Sequence, residues 1–346
     1  MRKILVTGAA GELGSRVVRL LAEADFCSQV VALDTREGPS VAGVRWIRGD
    51  LTSLPPDVDA ETLLAGVDTV VHLGWVDPDG EGPDPNRSLL EAVLELAIAP
   101  QVGQLVAISS ATVYGAWENN PVPLSETSVV RPNPGFVYAE TKAEHERVLA
   151  EWRRGAGAGT AVSVLRPAPA VGTTGTSWLG SALLAAVPVR VDRTDPPSQF
   201  LDVGDLASAV VRVVDLGLDG PYNVAPDGWL TGDELRALLG PRARLRIPAP
   251  VAGRVHRILR WRRSRPLPEG LLPYTMYPWV VSNDRLESAG WRPRVGNDEA
   301  FVEVDEAPPW VSLNARQRQY LSLGALAATL AGLVGWGVWL YRRRRR

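Results

Sequence analysis

The amino-acid sequence predicts an α/β fold, with a doubly wound parallel sheet, a smaller C-terminal substrate lobe and a C-terminal hydrophobic helix. Three observations carry this. Short β-branched runs alternate with helical stretches over the first two-thirds of the chain. Glycines stand at 8, 11 and 14, directly after the first run. Asp34 closes the second run, twenty residues beyond Gly14.

The predicted strands are 3–7, 29–34, 45–48, 69–73, 104–109 and 161–166, several of them apolar throughout, as strands buried on both faces should be. Between them 14–24, 86–97 and 136–153 read as helices, the last entered through Asn133 and Pro134. After Arg166 proline and glycine clusters break the chain into shorter elements. Residues 1–166 are therefore expected to form the dinucleotide-binding core, joined by parts of 199–225, and 167–312 the substrate lobe. Residues 313–346 form a tail.

With 346 residues, 45% of them hydrophobic, the chain can bury a full core. Its 37 basic and 39 acidic side chains nearly cancel, so no global field recommends nucleic acid as a partner. A single cysteine, Cys27, excludes an intramolecular disulfide and a cysteine-based zinc site, and no metal is expected. Lysine occurs only at Lys3 and Lys142. In so arginine-biased a chain, Lys142 invites a role that needs a compact charge with a tunable pKa.

Thr7–Gly14 reads TGAAGELG, the glycine-rich turn of a Rossmann-type fold. Gly8 permits the tight turn, Gly11 lets the backbone approach a pyrophosphate, and Gly14 allows close packing of the helix on the sheet. Amides near Glu12 and Leu13, at the positive end of the helix, suit the phosphates. Asp34 is placed to accept hydrogen bonds from an adenosine ribose and would repel a 2′-phosphate, which predicts NAD over NADP, with Arg36 the residue that argues the other way. Asp50 and Leu51 follow the third strand and Leu73 and Gly74 the fourth, at carboxyl ends where ligands of such sheets sit. His72 reads as structural, since no second histidine or carboxylate stands at useful spacing.

Ser110 lies where the fifth strand gives way to a loop, and Tyr138 and Lys142 are four apart on one helix face. Together they suit removal of a hydroxyl proton while hydride leaves the same carbon for a nicotinamide ring. A free tyrosine is too weakly acidic to act as a base at neutral pH, at a pKa of about 10. An ammonium nearby, with the positive ring of the oxidised cofactor, is expected to lower that value.

TGAAGELG, GDL at 49–51, VVHLG at 70–74, SSATVYG at 109–115 and YAETK at 138–142, in this order, resemble the extended short-chain dehydrogenase/reductase family in its NAD-dependent epimerase/dehydratase branch, of the UDP-glucose 4-epimerase type. The resemblance continues through LRPAP at 165–169 and QFLDVGDLA at 199–207 to about residue 294. It implies a Ser110, Tyr138, Lys142 triad, with Gly8, Gly11, Gly14, Asp34, Asp50 and Leu51 on NAD. It also implies a nucleotide-sugar substrate and a homodimer pairing 86–97 and 136–153 of each copy. Two departures bear on the substrate. Pro169 stands where sugar-nucleotide members usually carry asparagine, and Ala111 and Thr112 stand where 4,6-dehydratases place an acidic pair, which argues against dehydration at C6. An epimerase or dehydrogenase acting on a nucleotide sugar is the leading reading. Oxidation of a membrane-borne sterol or polyprenyl alcohol, and NAD binding without turnover, are the alternatives.

The chain opens directly into the apolar run 4–7, too short for a secretory signal core, and a cytoplasmic catalytic domain is expected. Residues 321–341 are 21 in number without a charge and are followed by Arg342–Arg346. Trp336, Trp339 and Tyr341 would sit at a membrane interface. A single span with the arginines inside would put the cofactor site outside, so a segment lying on or re-entering the bilayer is expected, a helix packed on the protein's own surface or in a dimer being the alternative. Nine arginines and no acid stand between 241 and 265, and could meet a diphosphate or form a solvated basic face.

Overall fold

The computed structural model describes residues 1–55, 58–77, 84–172, 176–187, 189–191, 194–240, 245–248 and 269–304. The tail from 305 onward and most of the arginine-rich stretch lie outside the described residues, so the expected hydrophobic helix does too. Among the described residues no helix is long and apolar enough to cross a membrane.

Seven parallel strands form the central sheet: β1 (Arg2–Thr7), β2 (Cys27–Asp34), β3 (Val44–Arg48), β4 (Thr69–His72), β5 (Gln104–Ile108), β6 (Ala161–Pro167) and β10 (Gly220–Val224). Their order is β3-β2-β1-β4-β5-β6-β10, each neighbour in parallel register. The order reverses between β1 and β4, which opens the crevice where ligands of such sheets bind. Short strands β7 (Ala170–Val171) with β9 (Leu201–Asp202), and β8 (Val189–Val191) with β11 (Leu245–Ile247), make two small parallel pairs.

Strand alternation sends side chains to two separate cores. Ile4, Val6, Val30, Ala32, Val71 and Val106 meet helix α1 (Glu12–Ala22) through Val17, Val18 and Leu21, and helix α6 (Val203–Leu216) through Leu206, Val210 and Val213. Leu5, Val31, Leu33, Val70 and Leu105 face the other way, onto Leu90 and Val93 of α3 (Pro85–Ala97) and Leu149 of α4 (Val137–Arg154). Burial on both faces is why these strands read as continuous apolar runs. A helix of α6's length was not expected after Arg166. Its N-cap Asp202 accepts from the amides of Gly204 and Asp205, and Gly217 ends it in the left-handed region at φ 61°. The remaining α-helices among the described residues are α2 (Ala60–Leu64), α5 (Trp178–Ala186), α7 (Gly232–Leu239), α8 (Asp284–Ser288) and α9 (Asn297–Val304). Phe200, Leu235, Leu239 and Phe301 form a smaller core there.

A buried ionic cluster ties α4 to the sheet. Arg166 on β6 donates to both carboxylate oxygens of Glu146, its Nε lying 3.0 Å from Oε1, and Ser109 donates to the same carboxylate. Arg166 also donates to the Tyr114 hydroxyl at 2.8 Å, and that hydroxyl donates to Asn223 on β10 at 2.7 Å. Removing one partner leaves a buried charge uncompensated. Glu146→Ala is therefore expected to destabilise the protein by about 3–5 kcal/mol, read as a lowered urea midpoint.

Candidate active site

The turn after β1 meets the end of β4 backbone to backbone. Gly8 has φ 71°, and a Cβ there would lie 2.5 Å from the Gly74 nitrogen, so both the left-handed conformation and the close approach require glycine. A Cβ at Gly14 would fall 2.1 Å from the Gly8 carbonyl oxygen. Gly14 thus lets α1 close on the turn itself rather than on the sheet, as its spacing had suggested. At Gly11 the nearest atom to a Cβ is that same oxygen at 3.3 Å, and nothing else crowds it. No side chain caps α1, so the positive end of the helix suits a phosphate.

Asp34 holds the turn from β2. Its Oδ2 accepts from the Ala10 amide at 3.0 Å, and its Oδ1 from the Arg36 amide at 3.0 Å. The Arg36 guanidinium is largely exposed, 3.8 Å from the carboxylate, and also donates to the Ala10 carbonyl. Asp34, Arg36, Asp50, Leu51, Leu73 and Gly74 line a cavity of about 280 Å³ with Gly8 and Gly11. The Asp50 carboxylate is engaged there by the amide and hydroxyl of Thr52, both at 2.8 Å. His72 is buried, with Nδ1 2.8 Å from the Thr7 hydroxyl, and burial with Lys142 and His145 nearby presses its pKa down to about 3. It stays neutral and structural.

A second cavity of about 250 Å³ shares Leu73 and Gly74 with the first. It brings together Glu12, Leu13, Ser110, Tyr138 and Lys142 with Pro169 and Leu179. Ser110 ends the loop after β5, capping the short helix Ala111–Tyr114; its hydroxyl accepts from the Thr112 amide at 3.2 Å and hydroxyl at 2.9 Å. Tyr138 and Lys142 project from the first turns of α4. Lys142 is buried, and its Nζ donates to the Ile108 carbonyl at 2.9 Å.

Burial pushes the Tyr138 phenol up to about 12, and a hydrogen bond with Ser110 offsets only part of that. Burial also presses Lys142 down to about 7, against the carboxylates of Glu146, Asp77 and Asp84. The ammonium lies 5.9 Å from the centre of the Tyr138 ring and 3.6 Å from the centre of the Trp75 ring. Trp75, Glu146 and Arg166 escaped the sequence reading. Only Glu146 carried a signal, one turn beyond Lys142.

A glycine turn at the switch point, a carboxylate at the end of the second strand and a Ser, Tyr, Lys set around the adjoining cavity fit a dinucleotide-dependent enzyme. The model of the NAD dependent epimerase/dehydratase family matches residues 4–225, and the chain belongs to that family; its cofactor is NAD. An uncharacterised protein of Mycobacterium tuberculosis is 27% identical over 323 residues, covering 86% of this chain and 82% of that one. A dTDP-4-dehydro-6-deoxy-D-allose reductase of Streptomyces is 26% identical, covering 75% and 88%. The structure of Thermus thermophilus UDP-glucose 4-epimerase complexed with NAD superposes with a TM-score of 0.62 at 23% identity, covering 87% of this chain and 97% of that one.

The cradle fits this cofactor, since the turn closes without side chains and the Asp34 carboxylate lines the same cavity. Calorimetry is expected to show NAD binding more tightly than NADP. Asp34→Ala should narrow the difference by about tenfold, the worth of a hydrogen bond to a charged group.

Proposed function

We propose that the chain catalyses NAD-dependent hydride transfer at a secondary hydroxyl carbon, with Tyr138 as the base, Lys142 as the charge beside it and Ser110 holding the substrate oxygen. The observation that carries this reading is the convergence of all three on one cavity that continues into the adenosine cleft. When bound, NAD supplies the acceptor for the hydride that leaves the carbon. Tyr138 takes the hydroxyl proton. For that its ionisation must fall from the raised value imposed by burial, and the Lys142 ammonium and Ser110 hydroxyl are the groups in place to lower it. Returning the hydride to the opposite face makes the reaction an epimerisation; releasing the ketone makes it a dehydrogenation. Residues 1–166 with parts of 199–225 serve the cofactor in this reading, and 167–312 the substrate.

The names of the relatives favour a nucleotide sugar. A specific observation favours a second reading, oxidation of a neutral, largely apolar alcohol such as a sterol or polyprenyl compound. Beyond Pro169 lies a small cavity of about 60 Å³ lined by Leu183, Phe200, Leu235, Tyr274 and Trp279. Several of its polar groups are already engaged: Gln199 with Gly228 and Val281, Tyr274 with Thr112, and Trp279 with the Tyr274 carbonyl. A screen for NADH formation with neutral alcohols, beside UDP- and dTDP-sugars followed by NMR, separates the two.

Tyr138→Phe is expected to lower turnover at least a thousandfold while leaving NAD affinity unchanged, because it deletes the proton acceptor and nothing at the adenosine end. Near-normal turnover in that variant, on whichever substrate the screen finds, would remove Tyr138 from the role of base.

The uncharged 321–341 segment completes the reading as a membrane attachment that leaves the catalytic part in the cytoplasm, and α3 and α4 as the pairing surface of a homodimer. Full-length protein should sediment with membranes and resist extraction by high salt, and removal of residues 316–346 should release an active enzyme. Recovery of the full-length protein in the soluble fraction would end the attachment.

A further inference from the structure

Trp75 belongs to neither the glycine turn nor the catalytic set, yet it touches both. It follows Gly74, the residue against which Gly8 closes, and lines both halves of the cofactor cleft as well as a small cavity behind Lys142. The Lys142 nitrogen stands 3.6 Å from the centre of its ring. The ring also meets Tyr138 nearly edge-on, with centres 5.4 Å apart and planes at 81°, and His145 with centres 6.0 Å apart. Its Nε1 is buried and has no hydrogen-bond partner among the described residues. An unsatisfied indole N–H is destabilising, so the side chain is not held in place by its polar edge. What it offers the site is its face.

We propose that Trp75 is a positioning residue for Lys142, its indole face holding the buried ammonium in charged form beside Tyr138 where the two halves of the cofactor cleft meet. The proposal deepens the assignment of Lys142 as the charge next to the base.

The groups around Lys142 leave room for such a contribution. Glu146, one turn farther along α4, is bonded to both Arg166 and Ser109, so much of its charge is already answered. Asp77, beyond β4, and Asp84, before α3, act on the ammonium through space. Of the two neighbouring histidines, His72 is pressed down to about 3 and His145 to about 4, and neither adds positive charge at neutral pH. The Tyr138 phenol is neutral there as well. Burial brings the ammonium close to losing its proton near neutral pH, and an aromatic face at contact distance, in a site shielded from water, attracts a cation strongly enough to shift that balance about tenfold.

The test uses the two lysines of the chain. Full-length protein carrying carbon-13 at lysine Cε gives one resonance for Lys3 and one for Lys142, assigned with Lys142→Arg. In Trp75→Leu the Lys142 titration is expected about one pH unit lower than in the unmodified protein, with Lys3 unmoved. Trp75→Phe, which keeps an aromatic face, should recover most of the difference. An unshifted Lys142 titration in Trp75→Leu overturns the proposal, and so does a shift as large in Trp75→Phe as in Trp75→Leu, which would mark a packing effect. Should Trp75→Leu fail to fold, protein made with fluorinated tryptophan keeps the ring's shape while weakening its face. A lowered Lys142 titration then supports the proposal and an unchanged one overturns it. The readout requires no turnover, so a failure of Tyr138 as the base would leave this result standing.

Discussion

The contact on which the rest of this architecture depends is backbone against backbone: the Gly8 turn closing on Leu73 and Gly74, with Gly14 bringing α1 down onto the same turn. Neither approach leaves space for a Cβ. The contact lies at the crevice between β1 and β4, where strand order reverses, and it brings the turn after β1 and the end of β4 into one wall of the cofactor cleft. From that wall the cleft runs one way to Asp34 and the other way to Lys142. Asp34 reinforces the joint from β2 through the Ala10 amide, so a single carboxylate both shapes the turn and lines the cavity beside it.

The half of the site around Lys142 is built against the usual preference of charges for water. Lys142, Glu146 and Arg166 are withdrawn from solvent within one stretch of α4 and the neighbouring β6. Glu146 and Arg166 compensate one another by a two-point hydrogen bond. Lys142 meets the Ile108 carbonyl oxygen and the Trp75 ring. Burial raises the phenol and depresses the ammonium, so the pair in this state is a neutral tyrosine beside a weakly held proton. A less buried lysine would be easier to accommodate but would leave the phenol facing water, where a charge nearby counts for little.

The parallel sheet was legible because strands buried on both faces leave uninterrupted apolar runs, and the cofactor turn because glycine is the residue its geometry permits. Tyr138 and Lys142 could be placed near one another from helix spacing, whereas Ser110, at the end of β5, joined them only through the family resemblance. Helix α6 was not anticipated, since its core-facing residues Leu206, Val210 and Val213 follow a stretch punctuated by proline and glycine. Trp75 had no periodicity to announce it, one aromatic residue beyond a motif being mute until its neighbours are known. Position on a helix face gives the proximity of Tyr138 to Lys142, but the desolvation that raises the phenol is set by everything that packs around it.

Trp75 and Trp178 both lie in ring contact with Tyr138, their centres 5.4 and 5.6 Å from its own. Indole emits in the near ultraviolet, where a reduced nicotinamide absorbs and an oxidised one does not. The cleft therefore carries two near-ultraviolet emitters packed on the same phenol. A reduced nicotinamide bound beside them would dim the protein's own luminescence, a readout that needs no added dye.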